Sequence, residues 1–209
     1  TRCSRDWSSD VCSSDLAFDM NAFLAGEIDA AQAMTYNEYA QVLESQNPAT
    51  GQLYQPGDLN VITMEDAGTA MLQDAIFASE AWLAKSGNED IAVKFLRASF
   101  KGWMYCRDNA AECVDIVVKA GSQLGKGHQA WMMNEINALV WPSPNGIGIV
   151  DQAAWDQTVS VATDGKIITA APTNGFRNDL AEKALKDLSG DTKGASFMKA
   201  TVTVTEGGK

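Results

Sequence analysis

The pattern of apolar and polar positions turns from mixed to helical as the chain proceeds. In FDMNAFLAGE, Asp19 is placed to cap a short amphipathic helix over 20–25, with Phe23 and Leu24 as its buried side and Gly26 as its stop. The run DAAQAMT at 29–35 is small and uncharged after its first residue, which predicts a strand covered on both faces. A helix follows over 38–44. The segment NPATGQLYQPGD at 47–58 carries Asn-Pro, Thr-Gly and Pro-Gly turn signals and reads as a loop. LNVIT at 59–63 predicts a second strand.

From Thr69 onward the period is helical. Met71, Ile76, Phe77 and Leu83 stripe one helix ending near Ser86 and Gly87. Ile91, Phe95, Leu96, Phe100 and Trp103 stripe the next. Val114, Ile116 and Val117 belong to a third, stopped by Gly121. Trp131, Met132, Ile136, Leu139 and Val140 form a fourth, stopped by Pro142 and Pro144. Asp151 caps a fifth that runs through Thr163, and 179–188 is a sixth. Beyond Ser189 the chain is polar and small, so TVTVT at 201–205 reads as a weak strand on a frayed tail.

Candidate chemistry gathers where the first strand ends. Tyr36, Asn37 and Glu38 supply an aromatic face, a two-way amide and a carboxylate in succession. Ligands of open α/β sheets sit beyond the carboxyl ends of strands. Together Tyr36, Asn37 and Glu38 offer a wall for a flat ring and an acid that can accept hydrogens from a neutral donor. The same position lets Asn37 and Glu38 cap the following helix instead. Glu65 and Asp66 end the second strand and are likewise read either as ligand contacts or as caps of a helix starting at Thr69.

Residues 1–16, TRCSRDWSSDVCSSDL, echo WSSD in CSSD and have neither period. They resemble a translated sequencing adapter, lack the apolar region of a secretory signal, and are set aside from fold reasoning. The net charge is −11; without this arm 14 basic residues face 24 acidic ones, so the acidity belongs to the rest of the chain. That argues against nucleic acid and anionic membrane, which need clustered cations. Two cysteines remain outside the arm, Cys106 and Cys113, read as a small-loop disulfide between two helices or as buried free thiols. A zinc site is not expected, because no further Cys or His lies nearby, and no cofactor is assigned, since GIGIVD at 146–151 lacks the strand-then-G-x-G-x-x-G context of a dinucleotide site. His128, the only histidine, sits in GKGHQAW at a helix start and reads as a surface or capping residue. The tryptophans read mostly as core anchors, with Trp141 a candidate cleft residue. No residue set assembles a nucleophile, base and oxyanion site, so no catalytic residue is assigned.

The stretches GEIDAAQAMTYNEY, LNVITMEDAGTAMLQDAIFASEAWL, FLRASFKGWMYCRDNAAECVDIV and NEINALVWPSPNGIGIVDQAAWDQT resemble the NMT1/THI5-like (SsuA-like) solute-binding proteins of ABC importers. The resemblance spans roughly 17–188 and is nearest to members that bind the pyrimidine precursor of thiamine. It implies an α/β type II periplasmic-binding-protein fragment, helix-rich and lacking its N-terminal part. In that reading 17–58 is the C-terminal part of lobe two, 59–188 holds the hinge crossing and the returning part of lobe one, and 189–209 is a polar tail. Such a fragment is expected to be marginally stable.

The implied role is non-enzymatic: two lobes close on a small heteroaromatic vitamin precursor, contacted by Tyr36, Asn37, Glu38, Glu65 and Asp66. The implied partners are the ligand and ABC permease subunits, the implied state a monomer, and the implied location periplasmic or lipid-anchored outside the cell. Two alternatives remain. One is a pyridoxal-phosphate-dependent thiamine pyrimidine synthase of the same fold, and the other a sulfonate- or riboflavin-binding relative.

Overall fold

The structure, a computed structural model, describes residues 19–209. The arm at 1–16 and the cysteines in it lie outside the described residues. Among the described residues eight α-helices run in order: α1 (Asn21–Leu24), α2 (Glu38–Leu43), α3 (Glu80–Leu83), α4 (Asn88–Asp108), α5 (Ala110–Ala120), α6 (Lys126–Val140), α7 (Gln152–Asp164) and α8 (Asn178–Lys186). The chain is helix-rich. Among the described residues the only β pairing is an isolated antiparallel bridge, Gln46 to Leu53.

The strand half of the α/β expectation is therefore corrected. Residues 29–35 and 59–63 are irregular, and Val61 and Ile62 are exposed. A strand is stabilised by a partner that takes its backbone hydrogen bonds. Neither segment has one among the described residues. The helix expected from Thr69 is corrected too. Residues 69–79 are irregular, Phe77 is 92 % exposed, and only α3 forms, where Ser79 accepts the Trp82 N–H.

Two compact units divide the chain. Unit 1 holds the described residues up to Leu59, with Asn109–Ala138 and Met198–Lys209. Asp19 accepts the Asn21 N–H at 3.0 Å, and Gly26 (φ +69°) ends α1 in a conformation that costs glycine little. Met20, rather than Phe23 or Leu24, is the fully buried residue there. Ala40, Val42 and Leu43 bury the apolar face of α2, and Cys113 and Val114 that of α5, which Gly121 stops. The C-terminal segment is not frayed and forms no strand. The Asn134 amide pairs both ways with the Ala200 backbone at 2.9 Å, Lys199 meets Glu135 at 2.5 Å, and Gly207 N–H donates to the Glu44 carbonyl at 2.9 Å.

Unit 2 comprises Asn60–Asp108 and Leu139–Phe197. Its core is the packing of α4 on α8: Val93, Phe100 and Met104 meet Leu180, Ala181 and Ala184, with Ile147 and Trp141 closing the cluster. Ile91, Phe95 and Trp103, expected on the buried stripe of α4, are exposed; Leu96 packs partly against the core. The buried face is set by what α8 covers, and α8 covers the 93, 100 and 104 side. Trp141 is corrected from cleft residue to core residue: it is 2 % exposed, and the Arg107 guanidinium stacks 4.6 Å from its ring centre. Asp151 caps α7 as expected, accepting the Ala154 N–H at 3.0 Å.

Candidate functional site

Asn37 and Glu38 open α2, and the chain before them turns so that their side chains face back along it. Glu38 is 7 % exposed. One of its oxygens accepts the Met34 N–H at 2.9 Å and the other accepts the Asn37 amide at 3.1 Å. A buried carboxylate needs such donors, and here the Met34 backbone and the Asn37 side chain supply them. Asn37 occupies the N-cap position without capping. Its Oδ1 instead accepts from Gln41 at 3.3 Å and meets His128 Nε2 at 3.0 Å. Tyr36 lies half-buried in the turn just before.

His128, on α6, is drawn into this network rather than lying on the surface or capping its helix. Its Nδ1 meets the two carboxylate oxygens of Glu44 at 2.9 and 3.0 Å, and both side chains are largely buried. Asn37, Gln41 and Glu44 recur at helical spacing, so one face of α2 presents an amide, an amide and an acid to α6. Three residues further on, Trp131 donates its indole N–H to the Thr35 carbonyl at 2.9 Å, and its ring lies 6.3 Å from that of Tyr39. Burial first, and then the Glu135 carboxylate, raise the Tyr39 hydroxyl above its ordinary value. The arrangement is a polar lock flanked by aromatic faces. Both nitrogens of His128 are engaged, one by Glu44 and the other by Asn37.

Glu65 and Asp66 fall in unit 2, on an exposed turn. Thr63 Oγ1 donates to Asp66 Oδ2 at 2.6 Å and accepts the Asp66 N–H at 3.0 Å, while Thr69 N–H closes the turn on the Met64 carbonyl at 2.8 Å. No helix begins at Thr69, so neither acid caps one. Next to the turn an open cavity of about 440 Å³ is lined by Gly68 and Thr69 and by Gln157, Ser160, Val161, Asp164 and Gly165 at the end of α7. Cys106 and Cys113 are both disulfide-bonded. Among the described residues no group of three or more His, Cys, Asp or Glu side chains could hold a metal ion. Within the same residues no helix is long and apolar enough to cross a membrane.

The family model described as NMT1/THI5 like matches residues 9–113, half of the chain. The chain belongs to that family. Its NMT1/THI5-like match runs through the Tyr36–Asn37–Glu38 trio, the Thr63–Thr69 turn and both paired cysteines. Members are mostly solute-binding proteins, with some synthases among them, so membership indicates a solute-binding or related role. No curated protein and no solved structure matches the chain. Glu44, His128 and Trp131 were missed as partners of the trio. The polar stripe at 37, 41 and 44 was the one local signal that could have pointed to them.

Proposed function

We propose that the intact protein is the extracytoplasmic substrate-binding component of an ABC importer, taking a small heteroaromatic vitamin precursor of the aminopyrimidine type. The carrying observation is the NMT1/THI5-like match over 9–113, which contains a buried carboxylate among aromatic side chains. Glu38 would accept the ligand's amino hydrogens in place of the Asn37 amide, which hydrogen-bonds to it in the free chain. Tyr36, Tyr39 or Trp131 would supply the stacking face. Glu65 and Asp66 are proposed as further ligand contacts. The two lobes of the intact protein, a type II binding fold, would close on the ligand and deliver it to permease subunits, the protein acting as a monomer.

Disulfide-bonded cysteines favour an oxidising compartment, periplasmic or lipid-anchored outside the cell. We propose that Cys106 pairs with Cys113, seven positions on, which non-reducing peptide mapping tests.

The deciding experiment is a thermal-shift and calorimetric screen with aminopyrimidines, thiamine, riboflavin and taurine. The expected result is a shift with an aminopyrimidine that Glu38→Gln abolishes. No shift with any aminopyrimidine sinks this reading, and a response to taurine or riboflavin alone reassigns the ligand. A second reading, a pyridoxal-phosphate-dependent pyrimidine synthase, draws on the synthases within the family. It requires a near-ultraviolet Schiff-base absorbance with pyridoxal phosphate, which the binding role does not produce.

A further inference from the structure

Against a net charge of −11, three cations share one face of a single helix. Lys94, Arg97 and Lys101 recur on α4 at spacings that put side chains on one stripe. With Ala98, and with Asp187, Leu188 and Ser189 just after α8, they line an open groove of about 340 Å³ within unit 2. The groove stands on the best-packed part of the unit, where α4 lies on α8.

Arg97 is fixed in place. Its Nη2 donates to Asp187 at 2.5 Å and its Nε to the Ala184 carbonyl at 3.3 Å, which leaves the Nη1 hydrogens for a ligand. Among the described residues no carboxylate pairs with Lys94 or Lys101. Three cations against one carboxylate leave two positive charges at the mouth of the groove.

We propose that this groove binds a small dianionic oxyanion, the phosphate group of an inorganic or organic phosphate. Two ammonium groups and a guanidinium with free hydrogens match the charge and the donor demand of a tetrahedral dianion. The Ser189 hydroxyl adds a neutral donor at the rim. Asp187 orients Arg97 rather than filling the groove. A monovalent carboxylate would satisfy half of the charge, so phosphate is bound in preference to acetate. The site is open to solvent, so its affinity falls as salt rises.

The test is calorimetric titration of phosphate and pyrophosphate into the whole chain at fixed ionic strength, with amide shifts followed at 94–101 and 187–189. Lys94→Gln with Lys101→Gln is expected to weaken phosphate at least tenfold or so while leaving the melting temperature of the free protein unchanged. Lys119→Gln, on α5, should change nothing. Acetate should bind several-fold more weakly than phosphate. Equal affinity in the double variant overturns the proposal. So does the absence of both heat and shifts at those residues up to about 10 mM phosphate. Binding of an acidic peptide without binding of phosphate overturns it too, because the face would then be a protein contact.

Discussion

His128 and Asp179 show how much one side chain can hold in this chain. His128 ties Glu44 and Asn37 of α2 to α6 from a largely buried position, and Glu44 in turn accepts the Gly207 N–H through its carbonyl. His128→Ala leaves the buried Glu44 carboxylate without its side-chain hydrogen-bond partner. The expected cost is about 1–3 kcal/mol of unfolding free energy, read as a lower denaturant midpoint, with faster amide exchange at Gly207. His128→Gln, which keeps one donor for Glu44, should recover part of it. An unchanged midpoint for the alanine variant would remove the lock. Nothing local betrays His128 in the sequence: it stands among glycines, and its partners lie 84 and 91 positions away.

Asp179 is read from a short-range pair. The Arg177 hydrogen bond holds its carboxyl down at about 2 against an ordinary 3.8. A depressed folded-state value means the contribution to stability is present above 3.8 and disappears as pH falls toward about 2. The wild type should therefore lose more stability across that window than Asp179→Asn. The margin will be small and salt-dependent, because the pair is half exposed.

At the level of elements, the helices other than the one expected from Thr69 were legible because their signals are local. Asp151 and Gly121 mark ends, and Leu180, Ala181 and Ala184 write one face of α8 into consecutive turns. The strands were not, because a strand is made by a partner elsewhere in the chain, and 29–35 and 59–63 have none among the described residues. The buried face of α4 was misread for a related reason: Ile91 and Phe95 are as apolar as Val93 and Phe100, and only the position of α8 decides between them. The trio at 36–38 was legible as residue types but not as geometry, since its amide and acid already bond to each other and to Met34.

Gly148 tests the α4–α8 core from the side. It has φ +81°, and a Cβ built on it would collide with the Phe100 ring. Gly148→Ala combines a left-handed strain of about 1–2 kcal/mol with that clash. It should lower the midpoint by more than Gly57→Ala, where a Cβ meets open space and φ is not positive. Equal effects would mean the core yields there.

On the scale of the molecule, apolar exposure stands out. Ile62, Ile76 and Phe77 lie open in the irregular segment of unit 2, as do Leu139, Ile167 and Met198 elsewhere. Exposed aliphatic and aromatic surface favours association, while the acidic charge opposes it. The chain should bind a hydrophobic dye in its folded state and self-associate more as salt screens its charge. Ile76→Ser with Phe77→Ser should reduce both effects. Dye binding unaltered by that pair, in equilibrium fluorescence and sedimentation, would put the sticky surface elsewhere.

The hydrogen bond from Trp131 to the Thr35 carbonyl gives the experimenter an optical handle. The indole sits one residue from Tyr36 along the segment it grips, so anything that pulls that turn aside changes the polarity around an emitting ring. With Trp82, Trp103, Trp141, Trp155 and Trp7 replaced by phenylalanine, the remaining emission would track events at the opening of α2 without any attached label.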